Sequence, residues 1–526
     1  MEGGINNRTP HEAHCHRSAI IILITTAVLL LSFRVLGSLS KFRERADSTP
    51  FQACNVLLHG AVGHGADDTK ILQRILDDES CAEVIFPSGN TFFASELSVR
   101  RNHVTLTLEP NATLAGLPTE FRTQRPDCAS EAGLEFAWTN WCALLRVTAQ
   151  LNFSLRGAGT IEPGGVGGAS PDFYSAMHIS STSHVALSGV RVTCSAWWWC
   201  TVFHNASDVS ISRVFIDGAM GRDGIDLVNC RRVLIEDSVI EGSDDALCFK
   251  TIKNDGLGAW PSFNVLVRNT TISSTWCNAI QFGSATEVNL TNFTFRDVRI
   301  RSARKAAVSL TSMDGGTIAN VSFENLNIRG RDIASPFFIK VGNRANCEDG
   351  KGTCWRPGAI RDVSFLNVSA SGWGNARRPK PGHSRSYTAT IEGLNSSYRV
   401  GPILFHNLML VAPGGGGTAD ADIDPPISAL QYAPRFDGVR PAYGLFVRHA
   451  HDVTLSATTV GIAPGDLDVK DGRPAIVVDD VERMLTRDVR VVDGLAPCQL
   501  RVRNSSGDWT EGSHLHSCAW APKTAT

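Results

Sequence analysis

The sequence predicts an all-β protein, a right-handed single-stranded parallel β-helix, and three observations carry that expectation. Short segments repeat: "HVALSGVRVT" (184–193), "DVSISRVFID" (208–217), "RVLIEDSVIE" (232–241), "NVLVRNTTIS" (264–273), "NFTFRDVRIR" (292–301) and "NVSFENLNIR" (320–329) each alternate apolar and polar residues, pause at a polar kink, and alternate again. Val185, Val209, Val233, Val265, Phe293 and Val321 stand at equivalent places, at intervals of 24, 24, 32, 28 and 28 residues. Periods of this length mark solenoids, and β-branched strands without helical spacing mark a β-helix. The third observation is compositional: 47 glycines and only 19% charged residues suit a turn-rich β fold. A β-sandwich also has many short strands but does not need this self-similarity.

The same pattern continues in "DVSFLNVSAS" (362–371), "PILFHNLMLV" (402–411) and "DVTLSATTVG" (452–461). Residues of equal phase in successive coils stack at about 4.8 Å. Side chains far apart in sequence therefore form a stripe along one face, and an elongated groove of that kind suits a polymer.

A chain of 526 residues, 43% of them hydrophobic, can bury a large core. Its net charge of −2 calls for neither nucleic acid nor an anionic membrane surface. The expected organisation is a polar tail (1–17), a signal anchor or, alternatively, a cleaved signal peptide (18–36), a stem (37–50), the β-helix (51–495) and a C-terminal tail (496–526). The second of these rests on "SAIIILITTAVLLLSF" (18–33), an uncharged run preceded by Arg8 and Arg17. Either form sends the rest of the chain into the secretory pathway. Ten Asn-x-Ser/Thr sequons lie downstream, from Asn111 to Asn504, and N-linked glycans are expected on them. Fourteen cysteines agree with that compartment. The short-range disulfide candidates are Cys54–Cys81, Cys128–Cys142, Cys194–Cys200, Cys347–Cys354 and Cys498–Cys518. Cys230, Cys248 and Cys277 lie in apolar strands and read as buried free thiols. There is no zinc-type C-x-x-C pair, no metal or cofactor is called for, and the chain is expected to act as a monomer. "APGGGGTADADIDPP" (412–426) lacks a strand–glycine–helix context and reads as a flexible loop rather than a phosphate cradle.

Chemistry concentrates in two turns. "GRDGIDL" (221–227) holds Asp223 and Asp226, and "GSDDALCF" (242–249) holds Asp244 and Asp245. Asp223 precedes Asp244 by 21 residues and Asp245 by 22, close to one coil, so these three should cluster, with Asp226 at the turn or coil edge. One such turn alone is better read as backbone capping. Two of them one coil apart favour chemistry, because clustered carboxylates raise one another's pKa and let an acid and a base coexist. Glycosidic cleavage needs such a pair.

The segment 56–116, beginning "VLLHGAVGHGADDTK", resembles the opening coils of pectin-lyase-like β-helices. "GRDGIDLVNCRRVLIEDSVIEGSDDALCFK" (221–250) resembles the core of glycoside hydrolase family 28, the polygalacturonases. In that family an N-T-D-G-I-D turn is followed one coil later by G-D-D or Q-D-D. The resemblance spans roughly 52–495, with "FFIKVGNR" (337–344), "PAYGLFVRH" (441–449) and "GRPAIVVDDVE" (472–482) similar to the C-terminal coils of relatives. It implies an inverting hydrolase of pectic polysaccharide. Asp244 would protonate the leaving oxygen, while Asp223 and Asp245 would hold and deprotonate the attacking water.

Besides Gly221 and Arg222 where the family has Asn ahead of the first Asp, the chain departs from that pattern at three places. Asn278 stands where the family has a histidine, and Ser309 and Thr311 stand where an R-I-K triplet grips a galacturonate carboxylate. Together with Lys250 these are the expected substrate-binding positions. Losing two cations implies a substrate that is not plain polygalacturonate at every subsite, or cations drawn from Arg304, Lys305, Lys340, Arg344 or the basic stretch 376–385. "WWW" (197–199) reads as a sugar platform or as core, His204 as structural, and Arg448 and His449 as groove edge. Two other functions fit a β-helix: a polysaccharide lyase or epimerase whose acids hold Ca²⁺, and a cell-wall polysaccharide-binding protein without turnover.

Overall fold

The computed structural model describes residues 52–520 except 118–141, 165–173, 195–198, 219–221, 254–258, 331, 345–355, 374–387, 435–437, 464–470, 493–495, 497, 510 and 514. The expected anchor and stem, Cys128, Cys347, Cys354, Trp197, Trp198 and the basic stretch 376–385 lie outside the described residues. No helix among the described residues is long and apolar enough to cross a membrane.

Gln52–Thr526 forms one compact unit, a parallel β-helix. Its first half has three strands per coil, each paired in parallel with the strand three places on, so the coil has three faces. Ser183–Ser188 pairs with Ser207–Ser212 on the second face, and Arg191–Thr193 with Phe215–Gly218 on the third. The first face holds Tyr174–Ser180, Thr201–His204, Ile225–Val228, Leu247–Thr251 and Ile280–Thr286 in order, then continues through the far end of Arg299–Ser312 to Ile333–Val341, Ala389–Glu392 and Leu445–His451.

The repeat read from the sequence is the observed register. Val185, Val209, Val233, Val265, Phe293, Val321, Val363, Ile403 and Val453 pair in that order. Inside the coil, Phe295, Phe323, Phe365 and Phe405 stack with ring centroids 4.8, 4.9 and 4.8 Å apart. The polar kinks have a conformational reason. The residue just before each aligned apolar position turns the chain in the left-handed region, as at Asp208, Arg232, Asn264, Asn292 and Asn320. Asn and Asp adopt that region at the least cost among residues with a side chain. Stacked asparagines then link coils, with Asn320 Nδ2 donating to Asn292 Oδ1 at 2.7 Å and Asn407 Nδ2 to Asn367 Oδ1 at 3.0 Å.

The ends are closed in two ways. Helix Thr69–Asp77 buries Leu72, Ile75 and Leu76 against the first coils. At the other end the coil runs past the expected boundary at 495, because Leu500–Arg503 and Ser517–Ala519 still pair with the first face. Disulfides join Cys54 to Cys81, Cys194 to Cys200 and Cys498 to Cys518, and Cys230, Cys248 and Cys277 are buried free thiols.

Candidate active site

Consecutive turns that lead into the first face stack directly. Gly224 N donates to Asp245 O at 3.0 Å, Ala246 N to Asn278 O at 3.0 Å, and Lys305 N to Cys277 O at 3.0 Å. A side chain at Gly224 would place its first carbon 2.6 Å from Ala246 O, so the close approach of these turns requires glycine there. The stack brings Asp223, the Asp244–Asp245 pair, the Cys277–Asn278 pair and Arg304–Lys305 into one column.

Asp223, Asp244 and Asp245 do cluster. A carboxylate oxygen of Asp223, one of Asp245 and Cys248 Sγ lie within 4.8 Å of one another, and so do oxygens of Asp244 and Asp245 with Cys277 Sγ. Asp223 is buried, whereas the Asp244 side chain keeps 28% of its surface open and is touched by Arg222 at 3.4 Å. Asn278 orients the pair: its Nδ2 and its backbone N–H both donate to Asp245 Oδ1, at 2.8 and 2.9 Å. Its own Oδ1 accepts from Ala306 N at 3.0 Å. The residue expected to bind sugar is therefore engaged in positioning a carboxylate.

Asp226 is not a turn residue. The strand begins at Ile225, so alternation turns Ile225 and Leu227 into the core and Asp226 outward onto the first face, below Val202 and above Cys248. There it is fully buried and paired with Lys250, whose Nζ also lies 3.0 Å from Asp223 and 2.9 Å from Cys248 Sγ. The expectation that Lys250 contacts substrate is corrected: all three ammonium donors are used internally, and the Trp199 ring covers it at 3.9 Å. Trp199 itself packs with Val202, Val228 and Ile252, which makes it core rather than platform.

These contacts divide the carboxylates electrostatically. Burial, and then the neighbouring Asp226, push Asp223 well up, against the opposing pull of Lys250. Asp245 is pushed up to about 6, chiefly by burial, with Asp223 and Asp244 adding and Lys305 opposing. Burial also works against ionisation of Asp244, but Lys305, the Cys277 contact and Arg222 outweigh it and hold it below the ordinary carboxylate value. The three acids thus titrate as one interacting set in which Asp244 is the readiest to ionise.

Ser309 and Thr311 fall on the first face three coils beyond Asp226, in register with Gln281 and Lys340 respectively. Both are fully buried. Thr311 Oγ1 donates to Phe282 O at 2.9 Å and accepts from Gln281 Nε2 at 3.0 Å, which removes it from the expected substrate ligands. Among the cations considered as replacements, Lys305 sits beside Asp244 and Asp245, which pull its ammonium up. Lys340 is spent on Glu392 at 3.3 Å and Arg344 on Asp314 at 2.6 Å. Arg448 and His449 do not edge the groove: Arg448 is buried against Asp479 at 2.9 Å and His449 contacts Asp480 at 2.6 Å. His204 is buried and stacks on His178, in keeping with a structural role.

Trp276 escaped the sequence reading. It is 61% exposed, lies in the turn over Asp244, and carries Arg304 on its ring at 4.4 Å. The signal available in sequence was its place one residue before Cys277, inside the stacked turns. A large aromatic held open at the rim of acids is suited to stacking on a sugar ring. Trp276→Ala is expected to raise KM about fivefold, roughly 1 kcal/mol, while kcat and thermal stability hold. Steady-state kinetics checks this, and an unchanged KM would remove Trp276 from the site.

Comparison with known proteins agrees with this geometry. Residues 169–371 match the family model of glycosyl hydrolases family 28. No curated protein matches the chain. Among solved structures, the family 28 exopolygalacturonase of Yersinia enterocolitica is 17% identical, with 87% of this chain and 79% of that chain covered at a TM-score of 0.53. The hyperthermoactive exopolygalacturonase of Thermotoga maritima is 16% identical over 89% and 94%, at 0.42. The polygalacturonase of Erwinia carotovora ssp. carotovora is 12% identical over 91% and 99%, at 0.42. The first of these shares the fold, and the family match covers every acid of the cluster. Residues 169–371 are accordingly similar to glycosyl hydrolases family 28, and the chain shares its parallel β-helix fold with the Yersinia enzyme.

Proposed function

We propose that the protein hydrolyses a pectic polysaccharide with inversion at the anomeric carbon, using Asp244 as general acid and Asp223 with Asp245 as the water-holding pair. The observation that supports this most is the turn stack, which sets the partly open Asp244 and Asp245 against the buried Asp223 within one column. Asp244 has the accessible oxygen and delivers a proton to the glycosidic oxygen as that bond breaks. A water between Asp223 and Asp245 loses its proton to the pair as its oxygen bonds to the anomeric carbon, so one water is consumed per cleavage. A substrate that is not plain polygalacturonate at every subsite belongs to the same proposal, since the buried, uncharged Ser309 and Thr311 supply no cation to a uronate there. Residence in the secretory pathway, N-linked glycans and an N-terminal anchor belong to the same proposal.

A lyase or epimerase that recruits Ca²⁺ is less well supported. Lys250 and Lys305 already lie among the carboxylates as counter-charges, where a cation would have to enter. Lyase turnover leaves an unsaturated product absorbing in the ultraviolet, whereas hydrolysis does not. Absorbing product from the wild-type protein would refute the hydrolase reading.

The charge distribution sets a pH expectation. Asp245 can take the proton of the water only while ionised, so kcat/KM should fall below about pH 6, where Asp245 takes up its own proton. Lys305 is the largest influence holding that value down, so Lys305→Met should move this acid limb to higher pH. A pH–rate profile of both proteins on the same polymer checks the direction; a limb that stays put or moves down contradicts the assignment.

A further inference from the structure

We infer that the site is a blind pocket that accepts the end of a polysaccharide chain, closed by the segment 413–434; this rests on the hydrolase reading above. On a bare solenoid the outward residues of the first face would meet solvent. Beyond the acids they do not: Ser309, Thr311, Phe338, Lys340, Thr390, Glu392 and Phe446 are all buried. Over the later coils of that face lies the glycine- and aspartate-rich stretch expected to be a flexible loop, held by Arg448, Arg501 and Arg503. It carries a short 3-10 helix at Thr418–Asp422 and crosses the face.

Its anchorage is a ladder of alternating charge. Lys340, Glu392, Arg448, Asp479 and Arg503 occupy the same phase of successive coils. Each is countered by its neighbour, with Arg448 to Asp479 at 2.9 Å and Arg503 to Asp479 at 2.6 Å. The segment plugs into this ladder from above. Arg448 and Arg503 both bind Asp424, the latter at 2.9 Å, and Arg448 also donates to Pro425 O at 2.6 Å. Arg501 binds Asp422 at 3.0 Å, and Trp520 Nε1 donates to Ala421 O at 3.1 Å.

From that base the segment reaches back to the acids. Asn343 N donates to Ala429 O at 2.8 Å, and the Tyr432 ring lies 5.8 Å from Lys305 Nζ and 5.5 Å from the Arg344 guanidinium. Lys305 is the residue beside Asp244 and Asp245, so the wall stands one residue from the reacting groups. Toward the N-terminal coils Trp199, with Val202 and Val228, closes the face in the same way. The groups left open, Asp244, Arg222 and Trp276, all sit on the turn side. On this inference the acids are reached from the turn side, and a polymer does not thread past them.

The test uses the full chain on the polymer it cleaves, following solution viscosity and product size together. Wild type should release short products while viscosity barely falls. Replacing 427–434 with a short Gly-Ser bridge, which leaves Asp422 and Asp424 in place, should increase the viscosity lost per bond cut several-fold. Early collapse of viscosity with wild type would overturn the inference and leave the hydrolase reading standing. A second measurement needs no turnover or loop variant. Asp244→Asn titrated calorimetrically with equal masses of intact and partly fragmented polymer should show a binding capacity that grows with the number of chain ends. Equal capacity per gram would overturn the pocket; absence of both binding and product would overturn the hydrolase reading and the pocket with it.

Discussion

Asp244→Asn should lower kcat on the natural polymer by about 10²–10⁴-fold, the usual contribution of a positioned general acid, without loss of thermal stability. Asp244 is the most open member of the cluster and removing one of several like charges relieves repulsion, so the fold has little to lose. The role itself is checked with an aryl glycoside whose leaving group departs without a proton. On that substrate Asp244→Asn should recover most of the wild-type rate, while Asp223→Asn and Asp245→Asn stay inactive, because water must still be activated. The charge pattern of the site makes this a real contest, since Asp245 is held near 6 and Asp244 lower. If Asp245→Asn is the variant rescued, the acid and base roles are exchanged.

The largest effect on stability is expected from Lys250→Met. Lys250 is the common counter-ion of Asp223 and Asp226, both buried, and removing one partner of a buried ion network costs about 3–5 kcal/mol. The loss should depend on pH with a definite sign. Asp223, Asp226 and Asp245 all have their pKa values raised in the folded protein. Groups of this kind favour the fold while protonated, and that support is lost as pH rises through their folded values, about 6 for Asp245. The deficit of Lys250→Met should therefore be larger at pH 8 than at pH 5. Adding Asp226→Leu should restore part of it by removing the stranded charge, in a denaturant titration of single and double variants. Equal stability of Lys250→Met and wild type at pH 8 would show that the lysine is not the counter-ion described.

Much of this was legible in the sequence because a solenoid turns sequence interval into spatial neighbourhood. The spacing of Val185, Val209 and Val233 is also their pairing, and the 21- and 22-residue gaps to Asp244 and Asp245 did bring those acids against Asp223. Alternation, however, says only that a residue points outward. It does not say whether solvent or another segment lies outside. Lys250, Ser309, Thr311 and Arg448 were all read as groove residues and all prove buried, Lys250 under Trp199 and Arg448 against Pro425 O. Asp226 was misplaced by one structural step, since its strand begins a residue earlier than the turn suggested. Trp276 and Tyr432 were invisible because what matters in them is exposure and reach, which no local pattern encodes.

The most direct measurement is product formation by the full chain on a panel of pectic and hemicellulosic polymers, following reducing ends and ultraviolet absorbance together for wild type and Asp244→Asn. The account predicts new reducing ends from at least one pectic polymer with wild type, no absorbing product, and loss of that activity in the variant. An Asp244→Asn protein as active as wild type, or an unsaturated product, would contradict it.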